Sequence, residues 1–145
     1  MKKQISAKEF EVWINQKIVA VTKHLLIDFA KGHLKFLYDS NGKRNVNVNI
    51  IEDRVFSIRY TRRYRHFHLT SYPVAYEMWK DKKYNDLIHI LIHELSHIHV
   101  IPLADVAESR YIQRTQLVEL AEELTEIVAE YLRRYIKKVD ASIYH

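Results

Sequence analysis

Two histidines and a glutamate in the second half of the chain have the types and spacing of a metal-dependent hydrolytic site. His93 and His97 are four residues apart, so on a helix both rings leave the same face and can bind one cation. Glu94 lies about 100° around the helix from His93, too far to share that ion but close enough to take a proton from an attacking water. Apart from Glu94, no charged residue lies between Ile90 and Ile98, as expected for a helix at the floor of a cleft. The pattern predicts a Zn²⁺ site with His93 and His97 as ligands and Glu94 as general base.

The neighbouring histidines do not complete this site. His89 precedes His97 by eight residues, about 12 Å along a helix axis, so the three rings cannot converge on one ion. His99 points about 120° away from His93. We therefore expect both to lie on a polar face or to contact the ligands rather than the metal.

The third ligand is expected to be a carboxylate from the last predicted helix, because no histidine follows His99 before His145. If Leu124 is the centre of the apolar face of that helix, about 100° per residue places Glu123 at the margin, where it can reach inward. Glu123 is the predicted ligand. Three other glutamates of the same helix remain as alternatives: Glu119, Glu122 and Glu126.

The residues before the metal motif predict a helix followed by strands. Apolar residues recur at helical spacing over about residues 7–30, behind a capping box at Ser6, and Gly32 is expected to end the helix. Alternating residues then predict strands at 34–38 and 46–50, joined by a turn at Asn41-Gly42. Residues 55–69 predict one long strand or two short ones, and Pro73 closes this sheet region.

The second half of the chain is predicted to be helical. A strongly apolar helix begins near Asp86 and is expected to stop at Pro102. A last helix covers about residues 115–138. The order of one helix, a small antiparallel sheet and two helices predicts a single α+β domain over residues 1–145.

The amino-acid composition excludes several classes of protein. The chain has 145 residues and no cysteine, which excludes disulfide scaffolds, thiolate catalysis and cysteine-bound zinc. The net charge of +5 is too small to establish a nucleic-acid partner. No apolar segment has the length of a signal peptide core or a transmembrane helix, so we expect a cytoplasmic protein without a membrane partner.

The metal motif and the last helix together resemble a gluzincin, a zinc peptidase with HExxH on one helix and a glutamate ligand on the next. The segments 91–97 and 122–129 are similar to those of compact ImmA/IrrE-type and phage-encoded metallopeptidases. The resemblance implies a minimal zincin-like domain that cleaves a peptide or protein substrate, with Zn²⁺ held by His93, His97 and Glu123. The chain differs from the ImmA pattern at His99 and at Thr125-Glu126.

Hydrolysis of a peptide bond also needs a donor for the developing oxyanion. Tyr111, His99 and Tyr131 are the candidates, and the sequence does not choose among them.

A basic segment offers further alternatives. Arginines alternate with aromatic residues over 59–67, a pattern typical of a solvated strand face, of an edge that pairs with a peptide, or of a nucleic-acid contact. The last alternative leads to a second hypothesis, in which a nucleic-acid- or protein-binding regulatory factor keeps a structural or vestigial metal site. The candidate contact residues are Arg59, Arg62, Arg63 and Arg65.

Overall fold

The computed structural model describes residues 7–25, 32–36, 54–61, 66–108 and 114–145. These residues form four α-helices, three strands and a final 3₁₀ helix, so the α+β class is confirmed. In chain order the elements are α1 (Ala7–His24), β1 (Gly32–Phe36), β2 (Phe56–Thr61), β3 (His66–Ser71), α2 (Pro73–Lys80), α3 (Tyr84–Glu108), α4 (Arg114–Val139) and the 3₁₀ helix Ala141–Tyr144.

Helix α1 presents to the core the apolar stripe that its sequence predicts. Phe10, Ile14, Ile18 and Val21 are all buried, as expected for residues three to four positions apart. The helix ends at His24, earlier than the predicted residue 30, and Gly32 is the first residue of β1. Residues 26–31 and the capping box residue Ser6 lie outside the described part of the chain.

The three described strands form one sheet in the order β1-β3-β2. The predicted segment 55–69 forms two strands, and these pair antiparallel, with Phe56 opposite Ser71 and Thr61 opposite His66. Strand β1 is added to the other side of β3 in a parallel direction, with Gly32 opposite Phe67. The Asn41-Gly42 turn and the strand predicted at 46–50 lie outside the described residues.

Helix α2 is an element that the sequence interpretation missed. Pro73, read as the end of the sheet region, is at the start of this helix, where its fixed φ and missing N–H are tolerated. The helix packs its aromatic residues against α1: the ring centroids of Tyr76 and Trp79 lie 5.9 Å and 5.6 Å from that of Phe10.

Helix α3 is the centre of the fold. Five of its apolar residues are fully buried: Leu87, Ile88, Leu91, Ile92 and Leu95. The predicted stop at Pro102 is wrong, because the helical backbone continues to Glu108. A proline removes one backbone hydrogen bond and strains one turn, a cost of about 3 kcal/mol that kinks or breaks a helix only where packing does not hold it.

Helix α4 matches its predicted extent and packs along α3. In the described parts of the chain, we find no helix with both the length and the apolar character needed to cross a bilayer.

Candidate metal centre

Helix α3 brings the three residues of the metal motif together as predicted. The side chains of His93 and His97 are partly buried, at 22% and 18% exposure. Their ring centroids are 5.0 Å apart and their planes nearly perpendicular, at 85°. With Glu94 they form a group in which one ligand atom of each residue lies within 4.8 Å of the others. One turn of a single helix therefore supplies two nitrogen donors and a carboxylate.

Helix α4 supplies a second carboxylate directly opposite the two imidazoles. The Oε1 atom of Glu122 lies 3.3 Å from Nε2 of His97, and its Oε2 atom lies 3.6 Å from Nε2 of His93. The Glu123 side chain is exposed and is absent from the residues that line this cavity. The structure therefore places Glu122, one of the alternatives, beside the two imidazoles, and it does not bring the predicted ligand Glu123 to this cavity.

Glu122 rather than Glu123 faces the histidines because α4 is rotated about its axis relative to the orientation predicted from the sequence. Leu124, taken as the centre of the inward face, is 36% exposed, and Tyr131, two turns further along the same helix, is 74% exposed. The side chains buried on this helix instead follow Thr125, Ala129 and Ile136. With Thr125 as the centre, about 100° per residue places Glu122 near 60° and Glu123 near 160°, facing away. Small and polar residues form this contact, so the hydrophobic pattern misplaced the face.

Each imidazole makes a hydrogen bond through its other nitrogen. Nδ1 of His93 lies 2.6 Å from Oε2 of Glu126, and a carboxylate there accepts the Nδ1 proton. Nδ1 of His97 lies 3.3 Å from Oγ1 of Thr125. The Thr125 hydroxyl donates its own hydrogen to the Ala121 carbonyl at 2.7 Å, so it acts as acceptor toward His97. Both rings are assigned as Nδ1–H tautomers, which leaves both Nε2 lone pairs facing Glu122.

Behind Glu126, a buried arginine holds the carboxylate in place. Arg133 is only 4% exposed, and its Nη2 donates to Oε1 of Glu126 at 2.9 Å. The guanidinium also binds Glu130, through Nε at 3.1 Å and through Nη2. The hydrogen bond from Arg133 is the main cause that holds the pKa of Glu126 below its ordinary value. Glu126 is therefore ionised at neutral pH and accepts a hydrogen bond from Nδ1–H of His93.

Burial sets the protonation of two groups that face the cavity. It raises the pKa of Glu94 to about 7, the nearby Glu122 carboxylate adds to that rise, and the positive charge of Arg54 opposes part of it. Burial also lowers the pKa of His97, which favours the neutral imidazole that a metal requires. A carboxylate with a pKa near 7 can both accept and return a proton.

The cavity has a volume of about 400 Å³ and is bounded by three elements. Helix α3 forms the floor with the metal motif and Ile101, and α4 contributes Glu122. The remaining wall comes from β2 and the residues before it: Arg54, Phe56, Ser57 and Ile58.

Two of the three predicted oxyanion donors, His99 and Tyr131, are described by the structure, and both lie outside this cavity. Nε2 of His99 lies 2.8 Å from the carbonyl of Leu25, at the end of α1. Tyr131 is exposed and borders a different depression, with Ile127 and Arg134. Tyr111 lies outside the described residues. Neither described candidate is a wall of the cavity.

The other predicted contacts are only partly described. Arg59 is exposed on β2 and does not line the cavity. Arg62, Arg63 and Arg65 lie outside the described residues. His89 is exposed as a residue. Partial desolvation of its ring, together with the positive charge of Arg133, lowers its pKa.

The sequence interpretation assigned no role to Arg54, Thr125 and Arg133, and it named Glu126 only as an alternative metal ligand. Three of them had a detectable signal. Residues three and four apart share a helix face, so Glu122, Thr125 and Glu126 belong together, and Arg133 falls one turn after Ala129 on the buried side.

Comparisons with known proteins returned no match: no family model, no curated protein sequence and no solved structure is similar to this chain.

Proposed function

We propose that this protein is a zinc-dependent peptidase with His93, His97 and Glu122 as metal ligands and Glu94 as general base. The observation that carries the proposal is the convergence of both Nε2 atoms on the Glu122 carboxylate, at 3.6 Å and 3.3 Å. Donors bound to one tetrahedral zinc at about 2.1 Å lie about 3.4 Å from each other, so this spacing suits the ion.

The chemistry of the donors also fits zinc. Two neutral imidazoles and one carboxylate are the donor set of catalytic zinc sites that keep a fourth position open. A bound zinc would polarise the substrate carbonyl and make water a better nucleophile at neutral pH.

Residues of the chain itself would transfer the proton and orient the two imidazoles. The Glu94 carboxylate takes a proton from the attacking water and delivers it to the leaving amine. Glu126 and Thr125 keep the two imidazoles in the required tautomer and orientation. The partly closed cavity limits the water that competes for the Glu94 proton.

Two measurements on purified protein test the proposal. Metal analysis is expected to find one zinc per chain, and His93→Ala is expected to lose it. Peptide cleavage, followed by mass spectrometry of a mixed peptide substrate, is expected to disappear in Glu94→Gln while zinc remains bound. Glu119→Gln is a matched control, because Glu119 is exposed on α4 and does not line the cavity. Cleavage that persists at the wild-type rate in Glu94→Gln would refute the mechanism.

A further inference from the structure

The proposed mechanism uses the floor of the cavity but not its β2 wall. Arg54 comes two residues before β2 and lines the same cavity as Glu94 and the two histidines. It is exposed, and within the described ranges it is the sole Lys or Arg on this lining. Arg54 therefore borders the space where a substrate of Glu94 would lie, and its charge is close enough to oppose the rise in the pKa of Glu94.

The charges around the cavity favour an anionic substrate. Zn²⁺ and the two carboxylates of Glu94 and Glu122 would balance one another, so Arg54 leaves the cavity with one net positive charge. A guanidinium presents two parallel N–H groups that match the two oxygens of a carboxylate.

The size of the cavity limits where that carboxylate lies. Arg54 and Glu94 line one cavity of about 400 Å³, which is about 9 Å across if it is roughly spherical. An extended peptide covers about 10 Å in three residues, so a group bound to Arg54 lies within about three residues of the bond next to Glu94.

We infer that Arg54 is a specificity-determining residue that binds a substrate carboxylate within about three residues of the scissile bond, so that acidic peptides are the substrate class. The inference rests on the proposed function for its site. The carboxylate can come from an Asp or Glu side chain or from a free carboxyl terminus. Peptides with amidated and with free C termini distinguish the two sources.

The experiment selects peptides by affinity. Zinc-loaded Glu94→Gln protein is immobilised and exposed to a mixture of hexapeptides with amidated C termini, and retained peptides are sequenced by mass spectrometry. A parallel mixture carries free C termini. Asp and Glu are expected to be enriched about tenfold at one position, as for one charge-assisted hydrogen-bonded contact. Retention of the free-acid peptides over the amidated ones, without a preference for Asp or Glu, would identify the chain terminus as the source.

The Arg54 variants decide the inference. Added to the Glu94→Gln background, Arg54→Gln is expected to abolish the enrichment, Arg54→Lys to retain part of it, and Arg54→Glu to enrich Lys instead. Lys138→Gln is the control, since Lys138 is exposed on α4 and outside the cavity lining. The inference is overturned if neither acidic residues nor a free C terminus increases retention, or if the increase survives Arg54→Gln.

The test of Arg54 and the test of peptidase activity can fail independently of each other. Cleavage by the wild type without acidic selection would refute the role of Arg54 and leave the peptidase standing. Selection that depends on Arg54 without any cleavage by the wild type would refute the peptidase and leave the carboxylate site standing.

Discussion

Nδ1 of His93 lies 2.6 Å from Oε2 of Glu126, although 33 residues separate the two in the chain. This contact joins α3 to α4 at the candidate metal centre. It leaves only Nε2 of His93 available to an ion, on the side where Glu122 lies. The Glu126 carboxylate is itself bound by the buried Arg133. The orientation of a residue in the HExxH motif is thus set by a helix outside the motif.

Glu126→Gln is expected to weaken zinc binding about tenfold, because partners that orient metal-bound histidines typically contribute that much. An amide can still accept the Nδ1 proton, but it lacks the negative charge that raises the basicity of the imidazole. Zinc affinity measured by competition with a chromophoric chelator checks this value. Glu119→Gln is the control, and an equal affinity in the two variants would show that Glu126 does not act on His93.

Glu122→Ala and Glu123→Ala are expected to differ sharply in zinc content. Glu122 faces both imidazoles, whereas Glu123 is exposed and away from the cavity. Removing one of three protein ligands should leave little zinc after dialysis, while Glu123→Ala should retain the wild-type content. Both substitutions lie on the same helix and remove the same carboxylate, so helix stability changes similarly in both. Zinc retained in Glu122→Ala but lost in Glu123→Ala would restore the assignment made from the sequence.

Arg133→Met is expected to lower the free energy of unfolding of the metal-free protein by about 1 kcal/mol at pH 7, since it removes partly buried hydrogen bonds to half-exposed carboxylates. Arg134→Met is a matched control. Arg134 is 79% exposed and pairs with the same Glu130 at 3.0 Å, so its removal should change stability little. Urea unfolding followed by circular dichroism gives both values.

The effect of Arg133→Met should also depend on pH. Arg133 lowers the folded-state pKa of Glu126 below the ordinary value of 4.5. A lowered folded pKa gives stability that is fully present above the unfolded value and is lost as the pH falls through the folded one. The difference between wild type and Arg133→Met should therefore be constant from pH 7 to about pH 5 and shrink below about pH 4.5. A difference that grows on acidification would contradict the role of this pair.

The sequence by itself determined the features that depend on local geometry. His93, Glu94 and His97 share one turn of α3, and any helix with that spacing presents them together. The buried stripe of α1 could also be predicted from the sequence, because core residues such as Phe10 and Ile14 recur with the period of the helix. The α+β order and the two ends of α4 followed from the same periodicities and from the turn residues between them.

Tertiary structure decided which residues meet across elements. The choice of Glu122 over Glu123 depends on a rotation of α4 of about one residue, and that rotation is set by the small and polar residues Thr125, Ala129 and Arg133 that pack inward. Hydrophobic periodicity cannot identify a helix contact made by small and polar residues, because the apolar stripe of α4 lies on a different face. The placement of Arg54 beside Glu94 likewise arises from the packing of β2 against α3, between residues 40 positions apart in the chain.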